Sequence, residues 1–333
     1  MITDILQKSE SQEKKAMRLL SGMRSIVFPL AMLIATGLLL GIAIVLCAAA
    51  SKTGIPPATI SFWQALIGGS IIVIVGLSRG VRLGLTGHHL RYYAVTGLCS
   101  VGLPNTLLFL SISHVGAGHV AISYAITPML TYFLALTLRI EPPRVVRLLG
   151  LALGATGAIL LTSPRFGGLP PEQYGWMALV LLTPLTVASA NIYRSLDWPK
   201  AAPPDMLAGG MLIAAALWIA PAMLISGDAH LPAISDWPLY AAGVVSAAGF
   251  AMSFALQRLA GPVTFSQLGY VVIAVTAGLG ALFFDERFSV GTSVALAIVL
   301  LGMALTTGNW ARVRIGSRRT AGGRRTPDAQ PGN

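Results

Sequence analysis

Ten long apolar runs divide the sequence, and they constrain the fold more than any other feature. Each run is close to the roughly 20 residues that a helix needs to cross the hydrocarbon core of a bilayer. Charged residues and clusters of proline or glycine separate the runs. We therefore predict an all-α integral membrane protein with ten transmembrane helices. The predicted spans cover about residues 27–50, 59–77, 92–112, 118–138, 145–162, 174–193, 206–226, 238–259, 266–284 and 290–308.

The composition agrees with a membrane protein. The chain is 55% hydrophobic and 11% charged, whereas soluble domains carry about 25% charged residues. A formal net charge of +11 would indicate nucleic acid as the partner of a soluble protein. Here the basic residues avoid the apolar runs, so we assign the charge to loops beside anionic lipid. The lipid bilayer is the predicted partner, and nucleic acid is not.

The basic residues also predict the orientation. With a cytoplasmic N-terminus, only Lys52, Arg165 and Arg287 of the 23 lysines and arginines fall in outer loops. Cytoplasmic loops are the ones enriched in Lys and Arg. We therefore predict that both termini are cytoplasmic, in a bacterial inner membrane. The first apolar run exceeds the roughly 7 to 15 residues of a signal-peptide core, which favours an uncleaved span.

The polar segments outside the spans suggest the domain organisation. Residues 1–26 are predicted to be a basic cytoplasmic tail, either solvated or a short interfacial helix. Residues 309–333 are rich in Arg, Gly and Pro and are predicted to be a disordered cytoplasmic tail. The loop of residues 163–173, "SPRFGGLPPEQ", connects two halves. These halves cover residues 27–162 and 174–308.

The second half repeats the first. Shifting the chain by 147 residues superposes one Pro-Pro pair on another, and a slip of two residues then superposes a glutamate, a glycine and several leucines and threonines. Each half holds five spans, and an odd number means that the second half enters from the opposite side. We predict two inverted five-helix repeats, an architecture typical of alternating-access transporters with a midplane site. The matches include Pro56 and Pro57 with Pro203 and Pro204, Glu141 with Glu286, and Gly157 with Gly302.

Two segments resemble a known family. "ISYAITPMLTYFLALTLRIEPPRVVRLLGLALGATGAILL" is similar to the fourth and fifth helices of the EamA-like branch of the drug/metabolite transporter superfamily. "ALFFDERFSVGTSVALAIVLLGMAL" looks like the ninth and tenth. The resemblance covers about residues 30 to 308. It implies export or exchange of small metabolites, often amino acids, through a cavity lined by the first four helices of each repeat. Many members carry an arginine where this chain has Gln64, and Ile273 replaces the second-repeat match of Pro128.

The spans offer uncharged candidates for substrate contact. All 12 acidic residues lie in tails, loops or helix ends, so the sequence shows no carboxylate proton relay. Buried amides and hydroxyls are costly in a bilayer unless they are bonded, so they either line a cavity or bridge helices. For Trp63, an interfacial anchor is the alternative. The candidates are Trp63, Gln64, Asn105, Tyr124, Thr127, Pro128, Thr183, Ser246, Gln267 and Tyr270.

Other residues have structural interpretations. Pro128 has no N–H, so it should release the carbonyl of Tyr124, four residues earlier, from its helical hydrogen bond. In a bilayer that carbonyl needs another donor, which could be a substrate, a water or a neighbouring hydroxyl. Glu141 and Glu286 would lie on opposite membrane surfaces, so we interpret both as helix-turn residues. Arg194 and Arg258 end spans, where they are expected to reach water.

The leading hypothesis is a secondary transporter that exports or exchanges a small metabolite such as an amino acid. The alternatives are an importer of a small solute or, in another class, a membrane enzyme or channel. No cluster of acid, base or nucleophile lies at depth, so we do not expect an enzyme. Cys47 and Cys99 lie in apolar runs without metal-ligand spacing, so no metal or cofactor is expected. The glycine motif that includes Gly154 permits either a monomer or a homodimer.

Overall fold

The fold was obtained as a computed structural model. The structure describes residues 2–108, 110–111, 114, 124–162, 172, 174–225, 231–283 and 290–308. Side chains are described from residue 27 onward within these ranges, except at 161–162, 277, 280–283, 290, 292, 296 and 307–308. The predicted tail of residues 309–333, most of the connecting loop of residues 163–173, and Glu286 lie outside the described residues.

Helices make up the described part of the chain, and it contains no strand. The helices follow the predicted spans closely, and the all-α prediction is confirmed. One difference is that α1 begins at Ile2, so the backbone of the predicted N-terminal tail is continuous with the first span. The bounds are α1 Ile2–Lys52, α2 Pro57–Ser78, α3 Gly87–Gly97, α4 Thr127–Thr137, α5 Val145–Thr162, α6 Tyr174–Leu196, α7 Pro204–Ile225, α8 Trp237–Ser266, α9 Leu268–Phe283 and α10 Val290–Gly308.

Five of these helices are long and apolar enough to cross a membrane. They cover Val27–Lys52, Pro57–Ser78, Tyr174–Leu196, Pro204–Ile225 and Trp237–Ser266. The other helices are shorter within the described residues, and α3 passes into a π-helix at Leu98–Gly102. The chain is therefore an integral, multi-pass membrane protein, and ten helices fit this class.

Proline and glycine set the helix starts and breaks. Pro57 and Pro128 both lie in the first turn of their helices, where a missing N–H leaves no helical bond unmade. Pro128 therefore begins α4 after a turn at Ile126. In α8, Gly261 has φ +81° and ψ 172°, and Pro262 follows it, so two helical segments meet there. Essentially only glycine adopts this backbone conformation.

The helices pair across the two predicted halves. α2 packs on α7, and α5 packs on α10. α1 packs on α8 and α9, while α4 packs on α6 and α3 on α7. The core lies around α7, where Ala208, Met211, Leu212 and Ala215 are buried together with Tyr92 of α3.

The glycine motifs make these pairings close. A methyl group added at Gly41 would lie 2.6 Å from Cγ1 of Val275 on α9. On α5, one added at Gly154 would lie 2.6 Å from the Tyr270 ring, and Gly302 of α10 approaches the Gly154 backbone. Both motifs thus serve helix packing within the chain. The homodimer stays a prediction.

Candidate functional site

Two predicted amides lie in hydrogen-bonded pairs around α2. Gln64 Nε2 donates to Ser246 Oγ of α8 at 2.7 Å. Asn105 Nδ2, from the chain beyond the π-helix, donates to Ser61 Oγ at 3.2 Å. We call Ser61, Gln64, Asn105 and Ser246 the α2 polar pairs. Gln64 and Asn105 are half-buried, so each amide keeps some exposed surface beside its serine.

Trp63 faces a different environment from its neighbour Gln64. Its ring lies edge-on to Phe62, with the ring centroids 5.3 Å apart. It packs against a cluster that includes Ile55 and Leu239, where α2 and α8 begin. Trp63 therefore lies near the helix ends, apart from the Gln64–Ser246 bond.

Tyr124 and Thr183 lie along α6. Tyr124 packs beside Val180 together with Trp176 and Met177. Thr183 is buried one turn farther along α6, and its carbonyl accepts a bond from Thr186. This places Tyr124 against the first half of α6, in a cluster that also contains Leu108.

Gln267 and Tyr270 lie where α8 gives way to α9, and they differ in their bonding. Tyr270 is buried, and its hydroxyl donates to the carbonyls of Ala125 and Leu151, each at 3.2 Å. These bonds tie α9 to α4 and α5. Gln267 is fully buried, and within the described residues neither polar atom of its amide has a partner. The hydroxyl of Thr127, beside Pro128 at the start of α4, is also buried and unsatisfied in that part of the chain.

A buried polar cluster that the sequence analysis missed joins α4, α6 and α8. Arg194 Nη2 donates to Asn191 Oδ1 at 2.6 Å, and Asn191 Nδ2 donates to Thr131 Oγ1 at 3.4 Å. Gln257 Nε2 of α8 donates to the main-chain oxygen of Asn191 at 2.7 Å and to Ser195 Oγ at 3.0 Å. Asn191 therefore links the arginine to the glutamine.

The expectation that Arg194 reaches water is wrong, because its side chain is buried. The residue is 3% exposed. Its guanidinium carbon lies 5.0 Å from the ring centroid of Phe254 and 4.7 Å from that of Phe265. The aromatic faces attract the cation and hold it inside the protein. We call Asn191, Arg194, Gln257, Phe254 and Phe265 the arginine cluster. By contrast, Arg258 is exposed as expected and stacks on Trp198 at 5.7 Å.

A second buried arginine has a counterion. Arg147, in the first turn of α5, is 1% exposed and forms an ion pair with Glu141. Glu141 lies in the turn between α4 and α5, and its carboxylate lies near Gly261 at the α8 break. This position agrees with a structural part for Glu141, which stays a prediction.

An exposed ionic cluster lies just beyond the end of α6. Asp197 accepts bonds from Arg91 (3.1 Å), His88 (3.1 Å) and Tyr193 (2.5 Å). Burial raises the pKa of Asp197, but these bonds and the charge of Arg91 outweigh burial, so the pKa lies below its usual value. This carboxylate is therefore already occupied, although it lies only three residues after Arg194.

A signal for the arginine cluster was present in the sequence. "NIYRSL" places Asn191 and Arg194 three residues apart, which is one helical face. Gln257 follows the largely apolar stretch of residues 247–256 in α8 and is next to Arg258. The aromatic faces that bury the charge come from another helix and a helix break, which helical spacing within α6 cannot show. In the described part of the chain, no group of His, Cys, Asp and Glu could hold a metal ion.

Comparisons with known proteins agree with this architecture. Residues 27–163 match the sequence model described as the EamA-like transporter family. One solved structure, described only as "Crystal structure of protein", superposes with a TM-score of 0.68 over 83% of this chain and 96% of its own. Its sequence identity is 19%, so it shows the shared fold alone. No curated protein sequence matches the chain.

Proposed function

We propose, from the premise that residues 27–163 belong to the EamA-like transporter family, that the protein moves a small metabolite by alternating access. Members of this family are transporters of the drug/metabolite superfamily and not enzymes, and we extend that class to this protein. The proposed direction is export or exchange, and the proposed solute is a small metabolite such as an amino acid. The match over the first half of the chain is the observation that carries this proposal.

The helix pairing supports two repeats that pack on each other. The second helices of the two predicted halves, α2 and α7, pack together, and so do the fifth helices, α5 and α10. Inverted repeats place a substrate site between the halves and let the same packing open to either side. The pairing and the internal sequence matches both favour such an arrangement.

The uncharged polar residues beside α2 support a solute path along this helix. Gln64 and Asn105 each bond to a serine and keep some exposed surface. A solute that approaches them can exchange hydrogen bonds with groups that are already oriented. No acidic residue lies within the apolar runs, which favours a facilitated exporter or an exchanger driven by solute gradients.

The test is counterflow in proteoliposomes. Vesicles holding the purified protein are loaded with pooled amino acids or pooled nucleosides, and uptake of the same labelled pool is followed. We expect transient accumulation with one pool and a reduced rate in Gln64→Ala and Tyr124→Ala. Thr156→Ala is the matched control, since this exposed hydroxyl bonds only within α5. The proposal fails if neither pool exchanges.

A further inference from the structure

The charge of Arg194 is buried without a carboxylate partner. Across the ranges that the structure describes, Arg194 makes no ion pair. Asp197 binds Arg91 instead, and Glu141 binds Arg147. A buried cation is strongly disfavoured unless it is paired. The two phenylalanine rings and the Asn191 side chain meet this need only in part.

The same cluster also leaves one donor and one acceptor unused. Arg194 Nε and Gln257 Oε1 are buried and have no hydrogen-bond partner in the described part of the protein. Both side chains bond to Asn191, so they lie close together. The Tyr92 hydroxyl is also buried and unpartnered there, and Tyr92 belongs to the same core cluster as Phe254. An unmet cation beside an unmet acceptor is complementary to a ligand with a carboxylate and an ammonium group.

We propose that the arginine cluster binds a small zwitterion, with its carboxylate on Arg194 and its ammonium on Gln257 Oε1. The carboxylate supplies the counterion that the chain does not. Charge-assisted hydrogen bonds of this kind are about twice as strong as neutral ones. The inference rests on the proposed transport function and names the solute class and the site.

The position of the cluster assigns it to one end of the path. Gln257 lies eleven residues after Ser246 on α8, which is about 16 Å along the helix axis. Asn191, Arg194 and Gln257 are each at most 3% exposed, so the solute enters only when α6 and α8 separate. The α8 break at Gly261 follows one turn after Gln257, and we infer that it acts as a hinge at this end of the path.

This arrangement favours exchange over net flux. Without solute, closing the cluster buries an unpaired cation, whereas with solute the cation has its counterion. A ligand shifts a conformational equilibrium by its difference in affinity between the two states. The loaded carrier therefore closes more readily than the empty one, and counterflow should be faster than net efflux.

The experiment compares pooled L-amino acids with the matching pooled L-amino acid amides in the counterflow assay. The amides keep the ammonium group and side chain but lack the carboxylate. For the wild type, we expect amino acids to be preferred over amides by about 10- to 100-fold. Arg194→Gln should lower this preference to near unity, and Arg194→Lys should keep most of it. Arg258→Gln is the matched control, because this arginine is exposed, stacks on Trp198 and is not a member of the arginine cluster.

The outcomes separate this inference from the proposed function. If neither amino acids nor nucleosides exchange in the wild type, the transport proposal itself fails. If the wild type exchanges amino acids and amides equally, or Arg194→Gln keeps the preference, transport stands and the zwitterion site is wrong. Should Arg194→Gln not fold, Arg194→Lys and Gln257→Leu decide. A retained carboxylate preference in Arg194→Lys, together with slower exchange of both pools in Gln257→Leu, supports the site, because both pools carry the ammonium group. Loss of the preference in Arg194→Lys, or unchanged exchange of both pools in Gln257→Leu, overturns it.

Discussion

Among the residues that the structure describes, two arginines are buried, Arg147 of α5 and Arg194 of α6, and their charges are met in different ways. Arg147 at the start of α5 has Glu141 as a counterion within the chain. Arg194 at the end of α6 has two aromatic faces and an asparagine, and none of the described carboxylates pairs with it. A buried ion pair holds two segments together, whereas a buried cation without an anion is costly, which is why we propose a ligand for it. The difference separates a structural charge from a proposed binding charge.

Removing the internal counterion should have the largest effect on stability. Glu141→Gln leaves Arg147 buried without its anion, which costs roughly 3–5 kcal/mol in the free energy of unfolding. Unfolding in detergent micelles measures this loss. The double variant Glu141→Gln/Arg147→Met should recover most of it, since no buried charge is left. A single variant as stable as the wild type would remove the distinction between the two arginines.

Gly261 lies between the two charged regions, and its substitution should have the next largest effect. Gly261→Ala forces a side chain into a conformation that costs about 1–3 kcal/mol. The melting temperature should fall and counterflow should slow. Gly269→Ala is the matched control, because the added methyl group would meet no atom within 4 Å apart from its chain neighbours and the backbone of its own helix. Equal melting temperatures for both variants would show that the α8 break is not held as described.

Replacing Arg194 should leave the free energy of unfolding unchanged or raise it, in contrast to the loss expected for Glu141→Gln. Arg194→Met removes a buried charge without leaving another one behind, so we expect the free energy of unfolding to stay within about 1 kcal/mol of the wild type or to rise. The same unfolding assay as for Glu141→Gln measures it. A loss as large as that of Glu141→Gln would mean that an anion of the protein itself pairs with Arg194.

The exposed Asp197 cluster should have the smallest effect, because solvent screens exposed ion pairs. A lowered pKa in the folded state means that the Asp197 carboxylate stabilises the fold above its ordinary pKa of about 3.9. This contribution disappears as the pH falls through the lowered folded value. Asp197→Asn should therefore lower the melting temperature slightly at pH 7, and the difference from the wild type should shrink as the pH falls below about 3.9. A difference that does not shrink with falling pH would contradict an ionic cause.

The helices and the α2 polar pairs follow from the sequence for simple reasons. A long apolar run can satisfy its backbone in a bilayer only as a helix, so spans such as 145–162 and 290–308 were predicted with the bounds that the structure shows. An amide in an apolar run needs a partner, which made Gln64 and Asn105 candidates. Which serine each amide would meet depends on the contacts between helices and could not be predicted.

Arg194 shows where prediction from the sequence ends. An arginine in the last turn of a span normally reaches the interface. Spacing along α6 predicts only that Asn191 and Arg194 share a helical face, not that Arg194 is buried. Its burial depends on Phe254 and Phe265, more than 50 residues away along the chain. Contacts from distant parts of the chain also decide the environment of Tyr270. The sequence analysis named it as a cavity candidate, and in the structure its hydroxyl donates to the carbonyls of Ala125 and Leu151. Whether any candidate contacts a solute stays a prediction.

The claim that a solute completes the ion pair of Arg194 is tested most directly by ligand-dependent stability. Thermal unfolding of the purified protein is followed with pooled L-amino acids, with the matching amides, and with neither. We predict that amino acids raise the melting temperature of the wild type, that amides do not, and that neither pool raises that of Arg194→Gln. An equal rise with both pools in the wild type, or an unchanged rise with amino acids in Arg194→Gln, would contradict it.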